Sequence, residues 1–285
     1  MSQHVYNTYN LIKIMAATLF VHPLDVLKIR LQISPERVTS VGMAHQMLKY
    51  EGWPALYCGL TAGLLRQATY TAARLATYEA LTKRYIRNNK KPPEGNDKIL
   101  VGVCAGLVGG LVGNPSEVVL VRRMAEGCLP CPAKCGRGCC PSGYLGTVDG
   151  FRKIICSEGF MGLFRGTTLT LLRSVGVSIV HIGCYNEIRE YVKERTGEKD
   201  PDTLTMYTAV ALSFVTALLT HPIDVVKTFF QISRSDCITQ RAVFNRVIRT
   251  KGVFGLWKGF TPYFIRMAIH TMIALLVMEH LKDYK

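Results

Sequence analysis

The chain has 285 residues, of which 35 are Lys or Arg and 20 are Asp or Glu, so its formal net charge is +15. This positive excess predicts a polyanionic neighbour, which is nucleic acid, anionic lipid or an acidic solute. Only 19% of the residues are charged, too few for a typical soluble nucleic-acid binder, yet the mean hydropathy is too low for a purely hydrophobic bundle. This composition favours helices with one polar face, arranged around a wet cavity.

Three elements recur in register along the chain. The first places an acid two residues after a proline, in HPLDVLKIRLQ (22–32), NPSEVVLVRRM (114–124) and HPIDVVKTFFQ (221–231). The second ends in glycine, in EGWPALYCG (51–59), EGFMGLFRG (158–166) and KGVFGLWKG (251–259). The third is an arginine seven residues after that glycine, namely Arg66, Arg173 and Arg266. This periodicity predicts three repeats, at 1–92, 93–198 and 199–285.

Each repeat predicts the same helices in the same order. A first long helix carries the proline motif, over 5–32, 98–125 and 204–232. A short amphipathic helix follows, over 41–50, 146–157 and 239–250. A second long helix begins after the glycine, over 60–87, 167–194 and 260–283. The predicted fold class is an all-α membrane protein with six tilted transmembrane helices, and a modest excess of Lys and Arg places the loops that carry the short helices on the positive-inside face.

The motif Pro-x-[Asp/Glu]-x-x-[Lys/Arg], repeated at intervals of about 100 residues, resembles the mitochondrial carrier family. The resemblance covers nearly the whole chain. It implies a threefold pseudosymmetric bundle around a central cavity in the mitochondrial inner membrane, with the termini in the intermembrane space and the short helices in the matrix. Segments 59–78, 115–130 and 256–271 resemble the dicarboxylate carriers of this family. That likeness implies a monomeric antiporter, not an enzyme, that exchanges 2-oxoglutarate for malate by alternating access.

The three repeats differ at positions that the family keeps basic. Leu120 stands where the other repeats have Lys28 and Lys227. Phe229 replaces the basic residue that corresponds to Arg30, and Cys58 replaces the one before the glycine. These departures leave the transported solute open, and a phosphate, uncoupling or other dicarboxylate carrier of the same family is the alternative. A soluble helical-repeat protein that binds RNA is a second alternative, which the proline and glycine residues within apolar helices disfavour.

Charged side chains within the predicted spans are the candidate substrate contacts, because a charge at the bilayer centre costs several kcal/mol. Arg66, Arg173 and Arg266 lie at one level, roughly 10 Å into their helices. Three guanidinium groups at one level do not neutralise one another, whereas an anion with two carboxylates binds them. The resemblance implies the same role, as substrate contacts. The alternative is that the arginines reach the lipid headgroups or form structural ion pairs.

Two further candidates follow Arg66 on one face of its helix. Tyr70 is four residues later and Arg74 is eight residues later. A phenol and another cation would orient a second carboxylate, and the resemblance gives both positions to the substrate. The Arg74 position is occupied by His181 and Ala274 in the other repeats, and such asymmetry allows one substrate to be distinguished from another. Lys13, on the first helix, either lines the cavity or extends to the membrane surface.

The resemblance also implies a gate on the matrix side. Its members are the acids and bases of the proline motifs with two bracing glutamines: Asp25, Lys28, Glu117, Asp224, Lys227, Gln32 and Gln231. Leu120 leaves one link of this ionic ring unfilled. The glycine-rich flanks of the short helices present helix N-termini, which bind phosphates, and the resemblance makes them sites for the lipid cardiolipin.

The second repeat contains about 14 extra residues, centred on a cysteine-rich segment at 128–143. Cys128, Cys131, Cys135 and Cys139 have a spacing that zinc sites also use, so metal binding is one interpretation. A flexible insertion without metal or other cofactor is the favoured one, because no His or carboxylate set accompanies the thiols. A reducing matrix would keep them from forming disulfides.

Overall fold

A computed structural model describes the backbone of residues 3–34, 38–125, 146–197, 200–233 and 239–282. Within these ranges, it does not describe the side chains of residues 3–17, 201–202, 251, 253 and 273–282. The regular structure of the described ranges is entirely helical. The cysteine-rich segment and the side chain of Lys13 lie outside the described residues.

Each repeat contains the three predicted helices. The first long helices are α1 (Gln3–Ile33), α4 (Gly95–Met124) and α8 (Pro201–Ile232). The short helices are α2 (Ser40–Tyr50), α5 (Thr147–Glu158) and α9 (Gln240–Lys251). The second long segments are α3 (Leu60–Asn89), α6 (Thr167–Gly183) with α7 (Tyr185–Thr196), and α10 (Phe260–Lys282). Their ends fall within a few residues of the predicted bounds.

The sequence failed to predict two local features. A short 3₁₀ turn precedes each second long helix, at Trp53–Tyr57, Phe160–Phe164 and Val253–Trp257. The continuous helix predicted over 167–194 is wrong, because Cys184 interrupts it between α6 and α7. The interruption follows Gly183, a poor helix former whose Cα faces open space, so packing does not enforce regular helix there.

The long helices form a closed ring. Around it, α1 packs against α3, α3 against α4, α4 against α6, α6 against α8, α8 against α10, and α10 against α1. The short helices pack on one end of this ring, which we call the short-helix end, through buried apolar side chains such as Met47, Ile154 and Val247. This arrangement leaves the centre of the ring to the polar faces of the helices.

The residue before each proline fastens the two long helices of its repeat. His22, Asn114 and His221 are fully buried, and each contacts a backbone carbonyl oxygen just before the second long helix. The three contacts join His22 Nε2 to Cys58 O at 3.0 Å, Asn114 Nδ2 to Leu163 O at 3.1 Å, and His221 Nε2 to Lys258 O at 3.3 Å. The proline motifs are thereby held beside the helices that carry the three repeat arginines.

Glycines set the close packing of α4. Gly102, Gly106 and Gly110 face α6, while Gly109 and Gly113 face α3. Small residues at intervals of four allow helix backbones to approach closely. A Cβ atom built on Gly109 would lie 3.1 Å from both Arg74 Cβ and Tyr70 O, so this glycine determines where two candidate substrate residues sit.

We expect Gly109→Ala to destabilise the protein. The added methyl group would force α3 away from α4, because one of its near neighbours is a backbone oxygen, and overpacking of this kind costs about 1–3 kcal/mol. Thermal unfolding of the purified protein in detergent measures the loss. Gly176→Ala is the matched control, since a Cβ there meets its nearest atom at 3.8 Å. Equal melting temperatures for the two variants would contradict the prediction.

Candidate functional site

Two buried ion pairs connect the proline motifs near the short-helix end. They are Lys28–Asp224, with Nζ and Oδ2 3.0 Å apart, and Lys227–Glu117, with Nζ and Oε1 2.7 Å apart. The first joins α1 to α8 and the second joins α8 to α4. Four of the seven residues predicted as a gate therefore contact one another across helices. We call these four residues together with Asp25 the ionic ring.

The third link of the ionic ring is filled by an apolar side chain. Leu120 is buried, and its methyl group packs toward Gly63, where a Cβ atom would lie 3.6 Å away. Leu120 and Asp25 line the same small cavity. Between α4 and α1, the ionic ring therefore has the apolar side chain of Leu120 on α4 and the carboxylate of Asp25 on α1.

The three repeat arginines also pair with the acids of the ionic ring. Each arginine pairs with the acid of the next repeat, and the third pairs with the first. The ion pairs are Arg66–Glu117 at 3.5 Å, Arg173–Asp224 at 2.7 Å and Arg266–Asp25 at 2.5 Å. The structural ion pairs that the sequence analysis kept as an alternative are therefore present in this conformation, and the role of the arginines as substrate contacts stays a prediction. The sequence did not reveal these partners, because each acid lies on a helix of another repeat.

Five cationic side chains share three carboxylates in this network. The positive excess attracts anions, and its enclosure by helices strengthens the attraction. The cavity inside the network has a volume of about 60 Å³. This is room for about two water molecules, so the described conformation is closed at the short-helix end.

Tyr70 and Arg74 lie on α3 beyond the network. The ring of Tyr70 lies against Gly109 and Gly113 of α4, so it has a packing role, and its contact with a substrate stays a prediction. Arg74 is half-buried and forms no ion pair with any side chain that the structure describes. The two bracing candidates, Gln32 and Gln231, are fully buried. The amide of Gln231 lines the network cavity without a hydrogen bond to the described residues, so its bracing role stays a prediction.

A family model described as mitochondrial carrier protein matches residues 11–89, 95–196 and 202–285. The chain belongs to the mitochondrial carrier family. The predicted fold class is confirmed, and the activity of the family is transport rather than catalysis. Membership makes this carrier a multi-pass protein of the mitochondrial inner membrane. The alternative of a soluble RNA-binding protein is thereby set aside.

Named relatives of this carrier are similar over nearly their whole length. The mitochondrial 2-oxoglutarate/malate carrier protein of Sus scrofa is 36% identical over 284 residues, which cover 95% of this chain and 83% of the relative. The protein of the same name from Caenorhabditis elegans is 33% identical, over 94% and 88% of the two chains. The mitochondrial dicarboxylate/tricarboxylate transporter DTC of Arabidopsis thaliana is 30% identical, over 95% and 90%.

Three helical stretches of the described chain are long and apolar enough to cross a membrane by length and composition. They are Gly95–Met124, Phe160–Gly183 and Thr203–Ile232. The helix α3 is more polar, since it carries Arg66 and Arg74 within its length. A helix that lines an aqueous cavity on one side tolerates such residues, which is why hydropathy alone predicts fewer spans than the carrier fold contains.

Tyr263 is a member of the site that the sequence did not indicate. It is fully buried on α10, and the Lys28 ammonium lies 3.9 Å from the centre of its ring. Its hydroxyl group is 2.9 Å from Thr220 Oγ1 and accepts a hydrogen bond from Arg173 at 3.4 Å. Tyr263 precedes Arg266 by three residues on one helical face, and that spacing was the available signal.

A second set of ion pairs fastens the short helices. Arg30 pairs with Glu51 at 2.5 Å, and Arg122 binds Glu158 with two bonds of 2.7 Å each. Each arginine also donates to a carbonyl oxygen at the end of the next long helix, at Met124 and Gln231. In the third repeat, Phe229 stands at the position of the arginine and Lys251 stands at the position of the glutamate. Both members of the ion pair are therefore replaced together in that repeat.

Filling the missing link of the ionic ring should slow this carrier. We expect Leu120→Lys to pair with Asp25, because threefold symmetry places its ammonium group where Lys28 and Lys227 reach their acids. A further charge-assisted bond of about 1–2 kcal/mol would raise the barrier to opening and slow exchange roughly fivefold to thirtyfold. Exchange assays in liposomes measure the rate. The control is Leu120→Met, which conserves volume, and equal rates for the two variants would contradict the expectation.

Proposed function

We propose that this carrier exchanges dicarboxylates across the mitochondrial inner membrane, in the first place 2-oxoglutarate for malate. The observation that carries the proposal is the network of five cations and three carboxylates at the centre of the helix ring. Its arginines offer bidentate donors to planar carboxylates. The activities for which the relatives are named support the same class of solute.

Competition between the substrate and the ring acids provides a mechanism. When the carboxylates of a substrate bind Arg66, Arg173 and Arg266, they replace Glu117, Asp224 and Asp25 as partners of these arginines. Each ring acid then keeps fewer ion pairs, and the barrier to opening the short-helix end falls. The anion thus favours the intermediate conformations over the closed one, which is what a shift between populations requires.

The same competition predicts obligatory exchange. Without substrate, the arginines return to the ring acids, so the empty carrier remains closed at one end. Reconstituted protein should therefore release labelled malate into buffer that contains 2-oxoglutarate and retain it in buffer without substrate. Equal release into both buffers would contradict the mechanism.

Orientation and lipid contacts complete the proposal. The short helices face the matrix and the termini face the intermembrane space, as the distribution of Lys and Arg favours. A cavity of about 820 Å³ opens between the first and second repeats, beside the N-termini of α3 and α5. Its lining includes Arg30, Arg123 and Thr147. Helix N-termini and arginines bind phosphates, so this cavity suits the headgroup of cardiolipin bound to a monomeric carrier.

The decisive experiment is a substrate panel. The purified protein is reconstituted in liposomes loaded with 2-oxoglutarate, malate, citrate, phosphate or ATP, and uptake of labelled malate is measured. We expect uptake against 2-oxoglutarate and malate, and little against ATP. Fast exchange with phosphate alone would instead support the other carriers of this family, and fast exchange with citrate would extend the substrate class to tricarboxylates.

A further inference from the structure

Two cations of the network share a single carboxylate. The Nζ atom of Lys28 lies 3.0 Å from Oδ2 of Asp224, and the Nε atom of Arg173 lies 2.7 Å from Oδ1 of the same group. Only 8% of the Lys28 side chain and 17% of the Arg173 side chain are exposed. A cation that loses its hydration and shares its carboxylate is favourable only where further groups compensate it.

Tyr263 of α10 contacts both of these cations. The side chain is fully buried, and the Lys28 ammonium lies 3.9 Å from the centre of its ring. Its hydroxyl oxygen lies 3.4 Å from Nη2 of Arg173. The face of an aromatic ring carries a negative partial charge and attracts an ammonium group, most strongly where water is excluded. One neutral side chain thus supplies a second partner to each cation.

Hydrogen bonds to α8 hold the Tyr263 hydroxyl group in place. Thr220 Oγ1 donates to the carbonyl oxygen of Thr216 at 2.7 Å, so its single proton is already used. In the 2.9 Å contact between Thr220 Oγ1 and the Tyr263 hydroxyl group, Tyr263 is therefore the donor. Its oxygen lone pairs remain available to Arg173. The ring cannot move away from Lys28 without breaking these bonds.

The corresponding positions of the other repeats differ from Tyr263. They lie four residues after the closing glycine, and they hold Gly63 and Thr170. A Cβ atom on Gly63 would lie 3.6 Å from Leu120, so this position also faces the base position of the next proline motif. A glycine therefore faces the leucine, and an aromatic ring faces Lys28. The ring is present where a cation has to be held.

We propose that Tyr263 is a positioning residue that holds the Lys28 ammonium in the ionic ring and so keeps the short-helix end closed when no substrate is bound. The inference rests on the proposed dicarboxylate exchange and deepens it. Opening this end separates α1 from α8, so Lys28 must leave the position that Asp224 and the ring give it. A substrate carboxylate that binds Arg173 draws this arginine away from the Tyr263 hydroxyl group, which loosens the ring as well.

The test changes the charge on the ring face and keeps the size of the ring. Phenylalanine with no, one, two or three fluorine atoms on its ring is introduced at position 263 by nonsense suppression. Each fluorine withdraws electrons from the ring face and weakens its attraction for Lys28. Release of labelled malate from liposomes into buffer without substrate measures opening of the empty carrier. We expect this rate to rise in similar steps along the series, by roughly fivefold to thirtyfold in total.

Matched variants separate the ring charge from packing. In a Lys28→Met background no ammonium remains, so the fluorine series should leave the release rate unchanged. Tyr263→Leu lacks the ring and should release malate faster than Tyr263→Phe, which keeps it. Tyr207→Leu removes a half-exposed tyrosine from the surface of α8 and should release malate like the wild type.

Thermal unfolding in detergent provides a second measurement, which needs no substrate. The melting temperature should fall along the fluorine series and stay constant along it in the Lys28→Met background. This measurement also covers a variant such as Tyr263→Leu that fails to fold, because the fluorinated rings differ little from one another in shape.

The outcomes distinguish this inference from the function on which it rests. A release rate and a melting temperature that stay constant along the fluorine series would overturn the role of the ring and leave the antiport in place. Equal trends with and without the Lys28 ammonium would also overturn it, because the ring would then act by packing. Absence of dicarboxylate exchange in the wild type would overturn the proposed function, while the melting temperatures would still decide whether the ring holds Lys28.

Discussion

Replacing Arg66 by alanine should reduce dicarboxylate exchange by roughly 30-fold to 1000-fold, which corresponds to about 2–4 kcal/mol. The substitution removes a proposed substrate contact and also leaves Glu117 with Lys227 as its partner in the network. The measurement is the rate of malate uptake by liposomes loaded with exchange substrate, at malate concentrations below saturation. Loss of a bidentate contact that strengthens on occlusion should lower the maximal rate as well as raise KM.

The control for Arg66→Ala is Arg84→Ala on the same helix. Arg84 is exposed near the far end of α3, so its replacement removes the same side chain from a helix surface. We expect exchange within about twofold of the wild type, because exposed charges contribute little. Full activity of Arg66→Ala would remove the proposed anchor of the substrate. A loss shared equally by both variants would show that helix charge, not the cavity, is the cause.

Asp224→Asn should open the carrier at the short-helix end without substrate. Asp224 pairs with Lys28 at 3.0 Å and with Arg173 at 2.7 Å, so a neutral amide removes the carboxylate that pairs with the buried Lys28 and the partly buried Arg173. Breaking a buried pair of this kind costs about 3–5 kcal/mol. We expect a lower melting temperature in detergent and release of labelled malate from liposomes into buffer that contains no substrate.

Asp149→Asn is the matched control for the ionic ring. Asp149 pairs with Lys153 one turn later on α5, where both side chains are partly exposed to solvent, and such pairs contribute about 0.3–0.5 kcal/mol. This variant should melt and exchange like the wild type. If Asp224→Asn retains both its stability and its tight coupling, the ionic ring does not close the carrier in the way proposed.

The helices and their order could be read from the sequence because they depend on local and periodic signals. Proline, glycine and the acid recur at similar positions in each repeat, so the three repeats contain the same signals for the start and end of each helix. The helix ends in the structure lie within a few residues of the predicted ones. The interruption at Cys184 was not predictable, since no proline lies beside it and a single glycine such as Gly183 is common in membrane helices. Gly183 is a weak helix former, and packing does not enforce regular helix there, since a Cβ atom on it would meet no neighbour.

The candidate charges could be named from the sequence, but their partners could not. The pairs Arg173–Asp224 and Lys28–Asp224 join residues 51 and 196 positions apart, and they form only where three helix ends converge. Tyr263 was missed for a related reason. An aromatic residue beside a proline predicts helix packing equally well, and its contact with the Lys28 ammonium depends on how α10 meets α1.

The threefold repeat, the helices, the family and the charged positions within the spans can be read from the sequence. They follow from local periodicity and from the unfavourable free energy of a charge in a membrane. The tertiary contacts were needed to show that the three repeat arginines pair with the ring acids and that the Lys28 ammonium lies against the ring of Tyr263. The physical reason is distance. Coulomb interactions of this strength need separations of a few ångströms, which helix packing sets and residue spacing along the chain does not.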